Sequence, residues 1–208
     1  MTRIYLILFL SIMMCTAGCM SKKKVIYTKY YLITPPEMKV DHNSDSARLK
    51  YTLQIGPVEI SPAYASSRIV SRAATNEIDY FRYHEWAVLP KVSIQEFAIS
   101  YFMAKGLFKE VSDRITNARP DFKLAINVQQ LEMLELEKEP LVAHLAVQYR
   151  FIDNLSGEVL FRHNMDDQIT LNERDINELA RKISELMLVS LEEVESKIDG
   201  LQLERPQQ

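Results

Sequence analysis

Ala143-His144-Leu145-Ala146-Val147-Gln148-Tyr149-Arg150-Phe151, then the turn Asn154-Leu155-Ser156-Gly157, then Val159-Leu160-Phe161-Arg162-His163-Asn164-Met165, is the stretch that decides the fold. Ala143, Leu145, Val147, Tyr149 and Phe151 fall at every second position, with His144, Gln148 and Arg150 between them. That period of two puts the apolar side chains on one face of a strand. Val159, Phe161, His163 and Met165 hold one parity through to Ile169 and Leu171, so a hairpin is expected. Two antiparallel strands with one apolar face need a cover. Ile176, Leu179, Ile183, Met187, Val194 and Ile198 supply it as a helical stripe near a period of 3.6, interrupted by Ser190. Asp175 and Glu178 open that helix with the spacing of a capping box.

Upstream, Phe122, Leu124, Ile126 and Val128 alternate with polar residues as a further strand, and the pattern becomes irregular from Gln130 to Glu139. A helix is predicted over Trp86–Gly106, with Pro90 in its first turn and Gly106 at its C-terminal end. Phe108–Val111 is a short strand and Ile115–Pro120 a loop. Arg68–Arg72 and Ile78–Tyr83 form two strands around the turn Ala74-Thr75-Asn76-Glu77. Tyr51–Ile60 is a strand whose apolar parity switches across Gly56-Pro57, which predicts a bulge or bend there. Val25–Ile33 is the first strand, stopped by Thr34-Pro35-Pro36, and Glu37–Lys50 is a polar loop. The expected class is α+β: one mixed or antiparallel sheet with two long helices packed on one face.

The N-terminus carries a different message. Met1-Thr2-Arg3, an apolar run from Ile4 to Met14, and Cys15-Thr16-Ala17-Gly18-Cys19 together have the layout of a secretory signal peptide. The run is shorter than the roughly 20 apolar residues a membrane span needs. Thr16-Ala17-Gly18-Cys19 resembles the lipobox of bacterial lipoproteins, which implies cleavage between Gly18 and Cys19, a diacylglycerol thioether on Cys19 and an acylated new amino terminus. An ordinary secreted protein cut near the same place is the alternative. The chain then divides into a signal peptide over 1–18, a lipidated Cys19 and basic tether over 19–26, one domain over 27–200 and a polar tail over 201–208. Lys22, Lys23 and Lys24 in the tether suit either anionic headgroups or plain solvent. Met20 stands after Cys19 where an Asp would favour inner-membrane retention, so the outer membrane is the expected address.

The 208 residues hold 25 Lys+Arg against 28 Asp+Glu, and no clustered basic face points to nucleic acid. Of the two cysteines, Cys15 leaves with the signal and Cys19 is taken by lipid, so no disulfide is expected. His42, His84, His144 and His163 are scattered, and no metal site or cofactor is expected beyond the acyl chains on Cys19. GxSxG, GxxxxGK[ST] and GxGxxG are all missing. Glu132, Glu135, Glu137 and Glu139 form an acidic run that reads either as paired carboxylates or as a charged strand edge that blocks unwanted pairing. Two clusters qualify as partner-docking candidates: Tyr83 and Trp86 among Tyr80, Phe81 and Arg82, and Leu134 and Leu136 beside the glutamates. The competing reading is that these side chains fill the core.

Ile55-Gly56-Pro57-Val58-Glu59-Ile60-Ser61-Pro62-Ala63-Tyr64, then Arg68-Ile69-Val70-Ser71-Arg72, then His84-Glu85-Trp86-Ala87-Val88-Leu89-Pro90, resembles the ABC-type transport auxiliary lipoproteins, whose best-known branch belongs to the paraquat-inducible Pqi system. The Tyr30-Tyr31-Leu32 strand and the lipobox fit the same pattern, and the resemblance spans roughly Tyr27 to Ile198. It implies a periplasmic domain hung from the outer membrane and a Trp that opens the first helix. It implies a partner, an MCE-domain protein bridging the periplasm from an inner-membrane transporter, with phospholipid-like cargo. It also implies a homo-oligomeric ring. The expected function is non-enzymatic docking. A scaffold or activator of another envelope pathway is the second reading, and a hydrolase using the glutamates the third.

Overall fold

The computed structural model describes residues 25–35, 47–114, 119–201 and 203. The signal peptide, Gly18, Cys19, the tether lysines, most of the 37–50 loop and nearly all of the tail lie outside the described residues. The elements run β1 (Lys29–Tyr31), β2 (Leu49–Ile55), β3 (Glu59–Ile60), β4 (Arg68–Ala74), β5 (Glu77–Trp86), α1 (Pro90–Lys105), β6 (Phe108–Ser112), β7 (Phe122–Leu134), β8 (Val142–Asp153), β9 (Val159–Thr170) and α2 (Ile176–Asp199).

β7 is the spine. Along one edge it pairs antiparallel with β8 from Phe122↔Asp153 to Leu134↔Val142, and β8 pairs antiparallel with β9. The other edge is shared by three parallel strands in succession. β2 lies against Phe122–Leu124, β3 against Asn127–Val128 and β4 against Glu132–Leu134. The sheet therefore forks: β6 extends the β2 arm, while β5 and then β1 extend the β4 arm. The result is a mixed nine-stranded half-barrel with two helices, the α+β class expected. Its core joins Leu124, Val147 and Phe151 of the sheet to Phe97 and Phe102 of α1 and to Met187 and Leu191 of α2.

Local chemistry explains the interruptions. The expected strand over Tyr51–Ile60 is two strands, β2 and β3, broken at Gly56-Pro57. Pro57 has no N–H to give to a ladder. Gly56 donates its N–H to Leu124 O at 2.9 Å, and a Cβ there would meet Lys123 Cε at 2.7 Å. The irregular pattern after Val128 is a bulge in β7. One inserted residue moves the core-facing positions from Phe122, Leu124, Ile126 and Val128 to Leu131 and Met133. The opposite face there, carrying Glu132 and Leu134, is buried as well.

Several expected boundaries move. Trp86 does not open the first helix; it is the last residue of β5, registered against Tyr31, and donates its N–H to Ser67 O at 2.7 Å. α1 begins at Pro90, whose fixed φ suits a first turn, and ends on Gly106 with φ +57°. The first strand is only Lys29–Tyr31, not Val25–Ile33. Asp175 does cap α2, accepting from Asn177 N at 2.9 Å. Glu178 does not return to the cap; it takes Asn172 N at 3.1 Å and Asn172 Nδ2 at 2.7 Å, so the capping box is not closed. Ser190, the apparent flaw in the stripe, is fully buried because Tyr149 is: the two hydroxyls lie 2.6 Å apart across the helix–sheet interface.

Candidate functional site

Two regions stand out, one buried where β4 joins the β7–β8–β9 strands and one exposed at the β1 end of the β4–β5–β1 arm. The buried one centres on Glu132, which sits opposite His144 in the β7–β8 ladder and is 1% exposed. Tyr64 OH donates to Glu132 Oε2 at 2.7 Å, and Arg72 Nε donates to Glu132 Oε1 at 2.8 Å. Arg72 Nη2 also donates to the Tyr64 hydroxyl at 2.8 Å. His144 places Nδ1 at 3.3 Å from Glu132 Oε1 and Nε2 at 2.8 Å from Asp166 Oδ1. A neutral imidazole has a single N–H. Two carboxylates facing the two ring nitrogens are both satisfied only by the imidazolium form. The side chains of β4, β7, β8 and β9 are thereby tied into one chain of charge-assisted bonds.

The electrostatics agree with the geometry. Burial alone would push the Glu132 carboxyl up, but hydrogen bonds from His144, Arg72 and Tyr64 outweigh it and leave the group below the usual carboxylate range. Burial would lower His144, and its bonds to Glu132 and Asp166 outweigh that and raise it. Burial, then the bond to Glu132, pushes the Tyr64 phenol up to about 12. Next door, Glu135 accepts from Ser71 Oγ at 2.5 Å and from Arg174 Nε at 2.7 Å. Burial again opposes ionisation there and the bonds prevail, so its carboxyl is lowered too. Arg174 in turn lies 4.4 Å over the Phe81 ring.

This corrects the reading of the acidic run. Glu132 is not at a wet strand edge; it lies inside β7 with strands on both sides. A carboxylate this enclosed and held ionised lacks the raised proton affinity of a general acid. Glu137 and Glu139, in the β7–β8 connection, are exposed as a charged edge would be. Sequence patterning did not find Tyr64, Arg72, His144 and Asp166 as a group. The one local signal was His144 on the polar parity of β8 next to Ala146, at a place where a wet face would carry a solvated side chain. His163, by contrast, is half-buried, stacked on Tyr149 and 2.8 Å from Glu193 Oε2.

The four docking candidates do not form one exposed patch. Trp86 is buried in the core, Leu134 is buried on the other face of β7 and Leu136 is half-buried. Tyr83 alone presents an exposed ring. β5 spans five steps from Tyr80 to Glu85 where β4 spans two, from Val70 to Arg68, and Tyr83 sits in that bulge with φ +61°.

The exposed region is the edge beside Tyr83. Val25, Ile26, Tyr27, Tyr30 and Leu32 are all exposed, as are Val88 and Leu89 just after β5. β1 pairs only with β5 among the described residues, so its outer edge is open. Tyr31 anchors the strand, its hydroxyl 2.8 Å from His84 Nδ1 and the two rings stacked. Between residues 30–35 and α2 runs a groove of about 500 Å³, lined in part by Tyr30, Leu32, Pro35, Ala180, Arg181 and Leu188. Thr34 N bonds Ser184 Oγ across it at 3.2 Å. Among the described residues no group of three His, Cys, Asp or Glu side chains is placed to hold a metal, and no helix is long and apolar enough to cross a membrane.

The family model of the ABC-type transport auxiliary lipoprotein component matches residues 30–194, from β1 into the last turns of α2. The chain belongs to this family. Its coarse role is therefore that of an auxiliary lipoprotein of ABC-type transport. No curated protein matches the chain. Among solved structures, a Xanthomonas campestris protein aligns with TM-score 0.63 at 18% identity, covering 82% of this chain and 92% of its own. An uncharacterized protein aligns with TM-score 0.65 at 9% identity, covering 83% and 99%. At such identities these two share the fold with this chain and nothing finer.

Proposed function

We propose that the chain is a non-enzymatic docking lipoprotein of an MCE-type lipid-transport system. In this reading Cys19 carries the diacylglycerol and N-acyl chains, and the domain hangs from the outer membrane into the periplasm. It receives the far end of an MCE-domain protein that bridges from an inner-membrane transporter, and it does so as a homo-oligomeric ring. The match of the family model over residues 30–194 carries this reading. The lipobox-like Thr16-Ala17-Gly18-Cys19 and Met20 after it support the anchor and the address. Physically, a tethered domain cannot diffuse away, so a partner that reaches the same membrane meets it at high effective concentration. More than one acyl chain is needed for stable anchoring, which a triacylated Cys19 meets.

The test is recovery of the tagged protein from detergent-solubilised envelopes of its own host, followed by identification of what comes with it. An MCE-domain protein with its permease is expected. Recovery of lipopolysaccharide-assembly or peptidoglycan-synthase components in their place overturns the reading.

A further inference from the structure

We propose that the N-terminal edge of the sheet, built from Val25, Ile26, Tyr27, Tyr30, Leu32 and Tyr83, rests on the phospholipid surface of the bilayer that holds Cys19. The proposal rests on the lipidation of Cys19 and adds a second, non-covalent contact to it. Three observations carry it.

The first is exposure. Tyr27 is 77% exposed, Val25 65%, Tyr30 64% and Ile26 57%, a run of apolar and aromatic side chains at an open strand edge. Tyrosine is a residue of membrane interfaces, because its ring is apolar and its hydroxyl is polar. Tyr83, in the bulge of β5, is exposed as well and directly precedes His84, the residue paired with Lys29 of β1.

The second is reach. Six peptide steps separate Cys19 from Val25, and even fully extended they span only about 20 Å. The edge therefore cannot stand far from the membrane. The direction is right as well. β1 runs parallel to β5, β5 antiparallel to β4 and β4 parallel to β7, so β1 runs antiparallel to β7. Val25–Thr28, which lead into β1, therefore approach from the direction in which β7 finishes. The β8–β9 turn at Asn154–Gly157 lies at the opposite end, since Asp153 pairs with Phe122 at the start of β7.

The third is charge. From Cys19 to Pro36 the sequence carries Lys22, Lys23, Lys24 and Lys29 and no Asp or Glu, in a chain whose net charge is −3. Arg82 is exposed beside Tyr83. A basic, acid-free stretch next to exposed aromatics complements anionic phospholipid headgroups and is weakened by salt. A two-fold contact through this edge would set the same lysines against each other, whereas the head-to-tail contacts of a ring use two different faces and leave the edge free.

The experiment uses the full lipidated protein in vesicles of phosphatidylethanolamine and phosphatidylglycerol whose acyl chains are brominated near the headgroup. Two variants report position: Tyr30→Trp on the edge and Leu155→Trp on the far turn, each read against the native protein with its buried Trp86. Tyr30→Trp should lose most of its added emission and shift to the blue, while Leu155→Trp keeps its own. Equal, unquenched emission from both overturns the proposal. Cross-linking of Tyr30→Cys to a second copy in place of quenching also overturns it, and assigns the edge to self-association. Failure of the anchor reads separately, as absence of the acylated Cys19 peptide in the same preparation. In that case the Cys19→Ser chain, mixed with the same vesicles, decides the edge alone. Partitioning that is lost on Tyr27→Ser with Tyr30→Ser, and in high salt, supports the contact; no partitioning of the parent Cys19→Ser chain refutes it.

Discussion

Two strands separate Glu132 from Tyr30, and the molecule treats them in opposite ways. At Glu132 charge is taken inside and every carboxylate oxygen finds a donor, from Tyr64, Arg72 or His144. At Tyr30 apolar rings stand in solvent on a strand with one open edge. The first arrangement binds the β4 arm to the spine and leaves nothing for a partner to use. The second is unsatisfied within the described residues, which is where outside contacts are expected. The difference separates structural polarity from functional polarity: the conspicuous glutamate and tryptophan build the frame, and the plain N-terminal edge meets the surroundings.

The largest expected effect is at Arg72. Arg72→Ala leaves Glu132 buried with His144 as its one remaining cationic partner and should cost about 3 kcal/mol or more in urea unfolding, whereas replacing both Arg72 and Glu132 by apolar residues of similar size should cost far less. A loss below about 1 kcal/mol would place Glu132 in contact with water and dissolve the contrast between the two regions. Trp86→Ala, at 4% exposure, should likewise cost about 3–5 kcal/mol. An effect of surface size would return Trp86 to the docking candidates.

His144 gives a pH signature of intermediate size, bounded by the roughly 1.5–3 kcal/mol of hydrogen bonds to charged groups. Its folded-state pKa is raised, so the folded chain holds the proton more tightly than the unfolded chain. Its contribution is complete below the unfolded value of about 6.5 and is lost as pH rises through the folded value. Glu132 and Glu135 have lowered folded values, so their contributions are present above the ordinary carboxylate range and vanish as pH falls through those lowered values. Chemical unfolding followed across pH should therefore peak between the two limbs. His144→Gln should flatten the alkaline limb only; an unchanged profile would mean the ring is neutral and bonded to one carboxylate. The smallest effect on stability is at the edge, where Tyr30→Ser should stay within about 0.5 kcal/mol of the parent. A larger loss there would make Tyr30 part of the fold and not of a contact surface.

The regular parts of the fold were legible because their residues answer to one environment each. β8 alternates in burial from Val147 to Phe151, where one face is covered and the other is only half-buried, while Val142–Val147 are buried at every position. Gly106 and Pro90 mark α1 because each suits one end of a helix. The fork was not legible. β2, β3 and β4 take turns along one edge of β7, and no local pattern encodes parallel pairing across tens of residues. The bulge after Val128 scrambled the parity of Gln130–Leu134, so Glu132 read as solvent-facing. Its partner Arg72 lies 60 residues away, and a charge is read as wet until its counter-charge is known. Trp86 was drawn into the helix because Val88, Val92 and Ile99 continue near its spacing, although Pro90 suits a first turn and marks the true start. Of the docking candidates only Tyr83 emerged at the surface, since aromatic clusters in sequence do not distinguish a ring on a bulge from one in a core.

The account stands or falls on Cys19. Mass spectrometry of the mature N-terminal peptide, taken from protein extracted from its native membrane, addresses it directly. The account predicts a chain that begins at Cys19, with a diacylglycerol thioether on the sulfur and a fatty acyl group on the amino nitrogen. A peptide that retains residues 1–18, or begins elsewhere with the Cys19 thiol free, would contradict it.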